Sequence, residues 1–365
     1  MTLPFATSKL FIDRLPAGRW HTLFAGLLLL MVVLTGCVAG TSTGNRSVDE
    51  PAATHKADHD QATTTLDAAV LPPLTAVKLA AGEKLQVVAT TNLVADLVAQ
   101  VGGEHIALYT LMGPGVDPHS YTSTPEDMRT LEDAQVIFIN GLHLEEALAD
   151  RLAALTAPVV AVNVGVTPRE LAPDEHDEAA AAEEHHHEGA DPHTWQRVAN
   201  VKQWVENVRT TLRQLDPPQA AAYDAAADAY LVELDALDAE IRAKVATIPA
   251  DNRKLVTDHE TFGYFADEYG FTLVGALIPS LSTSAEPSAQ ALAALQDQLA
   301  KEGVKAIFVG TTVNPRLADQ IAEDLGIQVV SLYSDSLSAP DGPAATYLDF
   351  MRFNINAIVA ALNTQ

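Results

Sequence analysis

From residue 85 onward the chain alternates short apolar, β-branched runs with longer stretches of helical spacing. The runs predict strands at 85–90, 106–112, 136–139 and 159–162, with helices between them at 93–101 and 144–155. The same alternation returns as strands at 254–258, 271–277, 306–309 and 328–332, closed by a helix over 343–362. Apolar strands separated by helices form βαβ units, so the fold class is α/β with mainly parallel sheets. Two such blocks imply two lobes. Between them Tyr223, Ala227, Tyr230, Leu234, Leu237, Ile241, Val245 and Ile248 recur every three or four residues. That spacing predicts one long helix within 216–249, capped by Asp216, opened by Pro217-Pro218 and stopped by Pro249. A helix without glycine is a stiffer joint than extended crossovers, so large hinge closure is not expected.

Before residue 85 the pattern differs. Residues 23–34 read LFAGLLLLMVVL, too short for a membrane span of about 20 residues and suited to the core of a secretory signal. Lys9, Arg14 and Arg19 precede it. It ends in Leu34-Thr35-Gly36-Cys37, which resembles a bacterial lipobox, a pattern that implies cleavage before Cys37 and a lipid on its sulfur. The expected mature chain is extracytoplasmic and anchored to the membrane by that lipid. Residues 37–84 are rich in Ala, Thr, Ser, Asp and Pro and are expected to form a disordered tether. The domain reading is then 1–36 signal, 37–84 tether, 85–215 first lobe, 216–249 linking helix and 250–365 second lobe.

Charge narrows the function. The 365 residues carry a formal −26, and removal of 1–36 leaves −28. So acidic a chain repels phosphate backbones, which excludes nucleic acid as a partner. Cys37 is the single cysteine, so there is neither an internal disulfide nor a cysteine-built metal site.

The histidines supply the candidate chemistry. Residues 174–188 read DEHDEAAAAEEHHHE, placing His176, His185, His186 and His187 among seven carboxylates. This insertion (174–189) has no apolar period and reads as a solvated loop that collects divalent metal loosely. Four more residues fall at loops beyond strand ends, where open α/β sheets build their sites. His119 follows the strand ending near Met112, and His193 lies in a second Asp-Pro-His. His259 follows LVTD, and Asp335 follows VVSLY. One histidine after a strand is ordinarily a surface or capping residue. The repeat of Asp117-Pro118-His119 in Asp191-Pro192-His193 argues for more, because proline stiffens each loop and each aspartate can orient a ring or bond local amides.

These residues carry a family resemblance. Asp117-Pro118-His119 with Tyr121, Pro125 and Asp127, and Asn140-Gly141-Leu142 with Glu145, match in order. So do Asp191-Pro192-His193 with Trp195, His259 with Phe262, Tyr264-Phe265 and Tyr269-Gly270, Ala285-Glu286-Pro287-Ser288, and Asp335-Ser336-Leu337. Across about 86–363 the chain resembles the bacterial solute-binding proteins of zinc/manganese ABC transporters, and its His-rich loop resembles that of the zinc-specific branch. The resemblance implies two pseudo-symmetric lobes joined by a rigid helix, with one metal in the interlobe cleft. It implies metal ligands at His119, His193, His259 and Asp335, a membrane permease as partner, and a non-enzymatic monomer. His143 stands where the family commonly has a small residue and reads as a solvated residue at a helix start. Gln196-Arg197-Val198 after Trp195 departs from the family and leaves the next helix start open.

Three imidazoles and a carboxylate suit four-coordinate Zn(2+) as the transported ion, with Mn(2+), which prefers more oxygen donors, as the alternative. Protonated histidine cannot bind metal, so affinity should fall below about pH 6. Release would follow some opening of a ligand loop. Two other classes remain: a metal-stabilised adhesin, and a zinc hydrolase using Glu260 as base. The hydrolase lacks His-Glu-x-x-His and an open metal position.

Overall fold

The computed structural model describes residues 70–169 and 189–363. The signal, Cys37, most of the tether, and His176, His185, His186 and His187 lie outside the described residues.

The first lobe is built on β1 (Leu85–Thr91), β2 (Ile106–Met112), β3 (Val136–Ile139) and β4 (Val159–Ala161). The second uses β5 (Lys254–Thr257), β6 (Thr272–Ala276), β7 (Ala306–Gly310) and β8 (Gln328–Leu332). Strand order is β2-β1-β3-β4 in one sheet and β6-β5-β7-β8 in the other. Every pairing is parallel. The identical order makes the lobes pseudo-symmetric, and each sheet reverses winding beside its first strand, the usual place for a site.

Side chains alternate across each sheet, and this creates three layers of core. Leu85, Val87 and Ala89 of β1 face one side, with Ala306 and Phe308 of β7. On that side lie α1 (Asn92–Gly102), α4 (Val198–Leu215), α5 (Ala220–Val245) and α9 (Tyr347–Leu362). All belong to a single apolar cluster that runs through both lobes. The outer faces are covered separately. Val88, Ile137 and Ile139 pack with Leu131 of α2 (Pro125–Glu132) and Leu152 of α3 (Ala149–Ala153). Val256, Ile307 and Val309 pack with Leu295 of α7 (Ala289–Glu302) and Ile321 of α8 (Arg316–Leu325). The remaining helix, α6 (Gly263–Tyr269), follows β5.

The linking helix α5 has 26 residues, roughly 39 Å, and buries Tyr223, Ala227, Tyr230, Leu234, Leu237, Ile241 and Val245. It packs on α1 and α4 of the first lobe and on α9 of the second. The joint is therefore a shared core and not a hinge.

Local expectations need correction in four places. Asp216 stands at the N-cap position, but of a 3-10 turn, Pro217–Gln219, that precedes α5, and it makes no side-chain cap bond: its buried carboxylate accepts from Tyr223 Oη at 2.9 Å. The tether does not run free to residue 84. Leu71, Leu74, Val77 and Leu79 pack on the shared core, with Val77 N donating to Leu215 O (2.8 Å) and Leu74 N to Gln214 Oε1 (2.9 Å). An extended strap can bury apolar residues without a regular period, so composition alone missed it. The helix expected over 144–155 is a 3-10 turn, Glu146–Leu148, followed by the short α3. His143 starts no helix; with Gly141 and Leu142 it forms a left-handed turn (φ 82°, 54° and 63° in chain order).

A candidate metal centre between the lobes

Each Asp-His pair is a small folding unit. Asp191 Oδ1 accepts both the amide of His193 (3.0 Å) and its ring Nδ1–H (2.8 Å). Asp258 Oδ1 does the same for His259, at 2.7 and 2.9 Å, while Asp258 Oδ2 accepts Gly310 N from the end of β7 (2.7 Å). With Nδ1 engaged by its aspartate, Nε2 is the ring nitrogen that each histidine turns into the cleft. Asp117 Oδ1 takes only the backbone amide of His119 (2.9 Å). The two Asp-Pro-His motifs are thus alike in sequence and different in use. The sequence signal for the orienting role of Asp258 is its place directly before a post-strand histidine, outside any Asp-Pro-His motif.

The carboxylate of Asp335 is divided. Oδ2 accepts Ser334 Oγ (2.6 Å) and Thr312 Oγ1 (3.4 Å), leaving Oδ1 for the cleft. Oδ1 lies 3.6 Å from His259 Nε2 and 3.8 Å from His193 Nε2, and His193 Nε2 lies 3.2 Å from His119 Nε2. One donor atom from each of the four residues falls within 4.8 Å of the others. A tetrahedron with metal bonds of about 2.0–2.1 Å has edges of about 3.3 Å, which these separations approach. Buried Asp335 Oδ1 and His259 Nε2 have no hydrogen-bond partner. Two such atoms facing each other are costly unless a proton or a metal ion lies between them.

Electrostatics agree with that arrangement. Burial, reinforced by neighbouring His193, lowers the pKa of His119 to about 3, so its ring is neutral. Burial opposes charge on His259 too, but Asp335 and Asp258 outweigh it and raise its pKa to about 10. Burial likewise works against charge on Asp335, and His259 overcomes it, holding the carboxyl below its ordinary range. In the metal-free protein His259 and Asp335 form an ion pair.

The supporting shell uses the other motif residues. Glu145, fully buried, accepts from Asn140 N (2.7 Å), Gly141 N (3.1 Å) and Thr90 Oγ1 (2.6 Å), which ties down the left-handed turn. Asn140 Nδ2 donates to Pro192 O (3.1 Å), just before His193. Trp195 packs edge-on against the His193 ring and donates from Nε1 to Ser334 O (2.7 Å), beside Asp335. Tyr264 Oη donates to Asp191 O (2.8 Å) and accepts Arg169 N (2.8 Å). The helix after Trp195 begins at Val198.

The match to the family model described as "Zinc-uptake complex component A periplasmic" covers residues 87–361, both lobes and all four cleft residues. The chain belongs to this family. Its members are solute-binding proteins of transporters and not enzymes, so Glu260 is not a catalytic base. The chain is 33% identical over 283 residues to the manganese-binding lipoprotein MntA of Halalkalibacterium halodurans, covering 77% of this chain and 90% of that protein. It is 33% identical over 292 residues to the zinc-binding protein TroA of Treponema pallidum, covering 78% and 90%. The solved structure of TroA superposes with a TM-score of 0.69 at 32% identity, over 77% of this chain and all of that one. The iron-binding protein YfeA of Yersinia pestis is 29% identical over 278 residues, covering 76% and 86%. The family therefore includes proteins named for three different metals.

Proposed function

We propose that the chain captures zinc outside the cytoplasmic membrane through His119, His193, His259 and Asp335, and delivers it to the permease of an ABC transporter. The observation that carries the choice of zinc is the division of the Asp335 carboxylate. With Oδ2 engaged by Ser334 and Thr312, the residue offers one oxygen, and three nitrogens complete a four-donor shell. Four-coordination by nitrogen with one oxygen suits zinc, whereas manganese favours more oxygen donors. Manganese is the second reading, favoured by the resemblance to MntA. A lipid on Cys37 would hold a monomer at the membrane, and His176, His185, His186 and His187 would collect metal near the cleft. The backbone bond from Asp191 N to Arg169 O (2.8 Å) supports that last role, since it brings the described flanks of the insertion together beside His193's aspartate. Competitive titration of the metal-free protein with zinc and manganese, with the bound ion's coordination number read by X-ray absorption, tests the reading. Zinc should win with four light-atom ligands; preference for manganese with five or six would replace it. Deleting 174–188 should slow loading and leave the tight site intact.

A further inference from the structure

The four cleft residues are not held alike. His193 and His259 are fixed at ring and backbone by an aspartate, and Asp335 is fixed by two hydroxyls. Asp117 holds His119 through its backbone amide only, and the His119 ring meets another imidazole, His193 Nε2 at 3.2 Å, in place of an orienting aspartate. It is also the least buried of the four. Of the four residues, His119 is thus the one nearest to solvent.

The His119 loop is held in its own lobe by Tyr121 Oη, which donates to Asp127 Oδ2 (2.6 Å). From the other lobe it is held at two places, one of them Gly115 N donating to Ser336 Oγ (2.8 Å). Thr283 Oγ1 donates to Asp117 Oδ2 at 2.6 Å, and Ser284 Oγ reaches His119 O at 3.5 Å. Within its own loop Asp117 Oδ2 has one further partner, Ser120 Oγ at 3.1 Å. Thr283 lies between β6 and α7, in a segment whose base is bonded to the neighbours of His259. Ile278 N donates to Asp258 O (2.7 Å), and Glu260 N donates to Ser280 O (3.0 Å). This segment is a bracket, with its foot beside one proposed ligand and its tip on the loop of another.

We propose that Thr283 is a positioning residue for metal retention: its hydroxyl latches Asp117 across the cleft, keeps the His119 loop closed, and sets the rate at which the ion leaves. The inference rests on the capture function proposed above. A hydroxyl bonded to a carboxylate is a charge-assisted contact, strong enough to matter. Asp117 and Thr283 are both half-buried, so water can replace the bond and the latch can open without disturbing the shared core.

The test is the dissociation rate of zinc from the loaded full-length chain into excess chelator, beside the association rate. Thr283→Val should release zinc about tenfold faster with association unchanged, and Thr283→Ser, which keeps the hydroxyl, should restore the wild-type rate. Thr283→Ala carries the same expectation as valine should the valine variant fold poorly. Wild-type release from both hydroxyl-free variants overturns the latch. So does equally fast release from the serine variant. A folded wild-type chain that takes up no zinc removes the capture function itself, a result distinct from either.

Discussion

At the scale of single residues, a proton stands where the ion would bind. His259 is protonated far above neutrality because Asp335 and Asp258 face it, while His119 stays neutral down to about pH 3. Zinc must expel the His259 proton, so the sign is fixed: apparent affinity rises with pH, by about tenfold per unit, up to about pH 10. This moves the competition well above the pH 6 expected from an ordinary histidine. Calorimetry at pH 7 in buffers of different ionisation enthalpy should show about one proton released per zinc. Asp191→Asn keeps size but loses the charge on His193, and should weaken zinc about 10–100-fold in the same titration. His119→Ala should abolish tight binding; unchanged affinity would remove His119 from the site. The four cleft residues were legible because each follows a strand end, and two sit in a repeated tripeptide. Thr312 and Thr283 were not legible, since their partners Asp335 and Asp117 lie far away in sequence and only folding joins them.

At the scale of elements, periodicity succeeded where burial is one-sided and failed where the backbone is constrained. All eight strands and the linking helix follow from apolar spacing. The broken segment over 144–155 does not, because Glu145 spends its carboxylate on the amides of a left-handed turn instead of continuing a helix. Nor does the strap around Leu74 and Val77, which packs without any repeat. Within α5, Leu234 is fully buried in the core that both lobes share. Leu234→Ala should cost about 2–5 kcal/mol in chemical denaturation. The loss should appear as one shifted transition, because the core around Leu234 runs through both lobes.

For the whole molecule, that common core has two measurable results. Thermal or denaturant unfolding should be a single cooperative event, and zinc at a thousandfold excess over its dissociation constant should add about 4 kcal/mol. Solution scattering of the metal-free and zinc-loaded protein should superimpose, because the lobes share one apolar core. The two sheets repeat one another, yet their loops contribute unequally. His193 and Asp335 follow equivalent strands, β4 and β8, whereas His119 follows β2 and His259 follows β5. One half of the cage therefore presents two imidazoles, and the other presents an imidazole with the only carboxylate among the four. If the proposed latch governs release, an ion freed from His119 would still be attracted by Asp335, and the first half of the cage would give it up before the second.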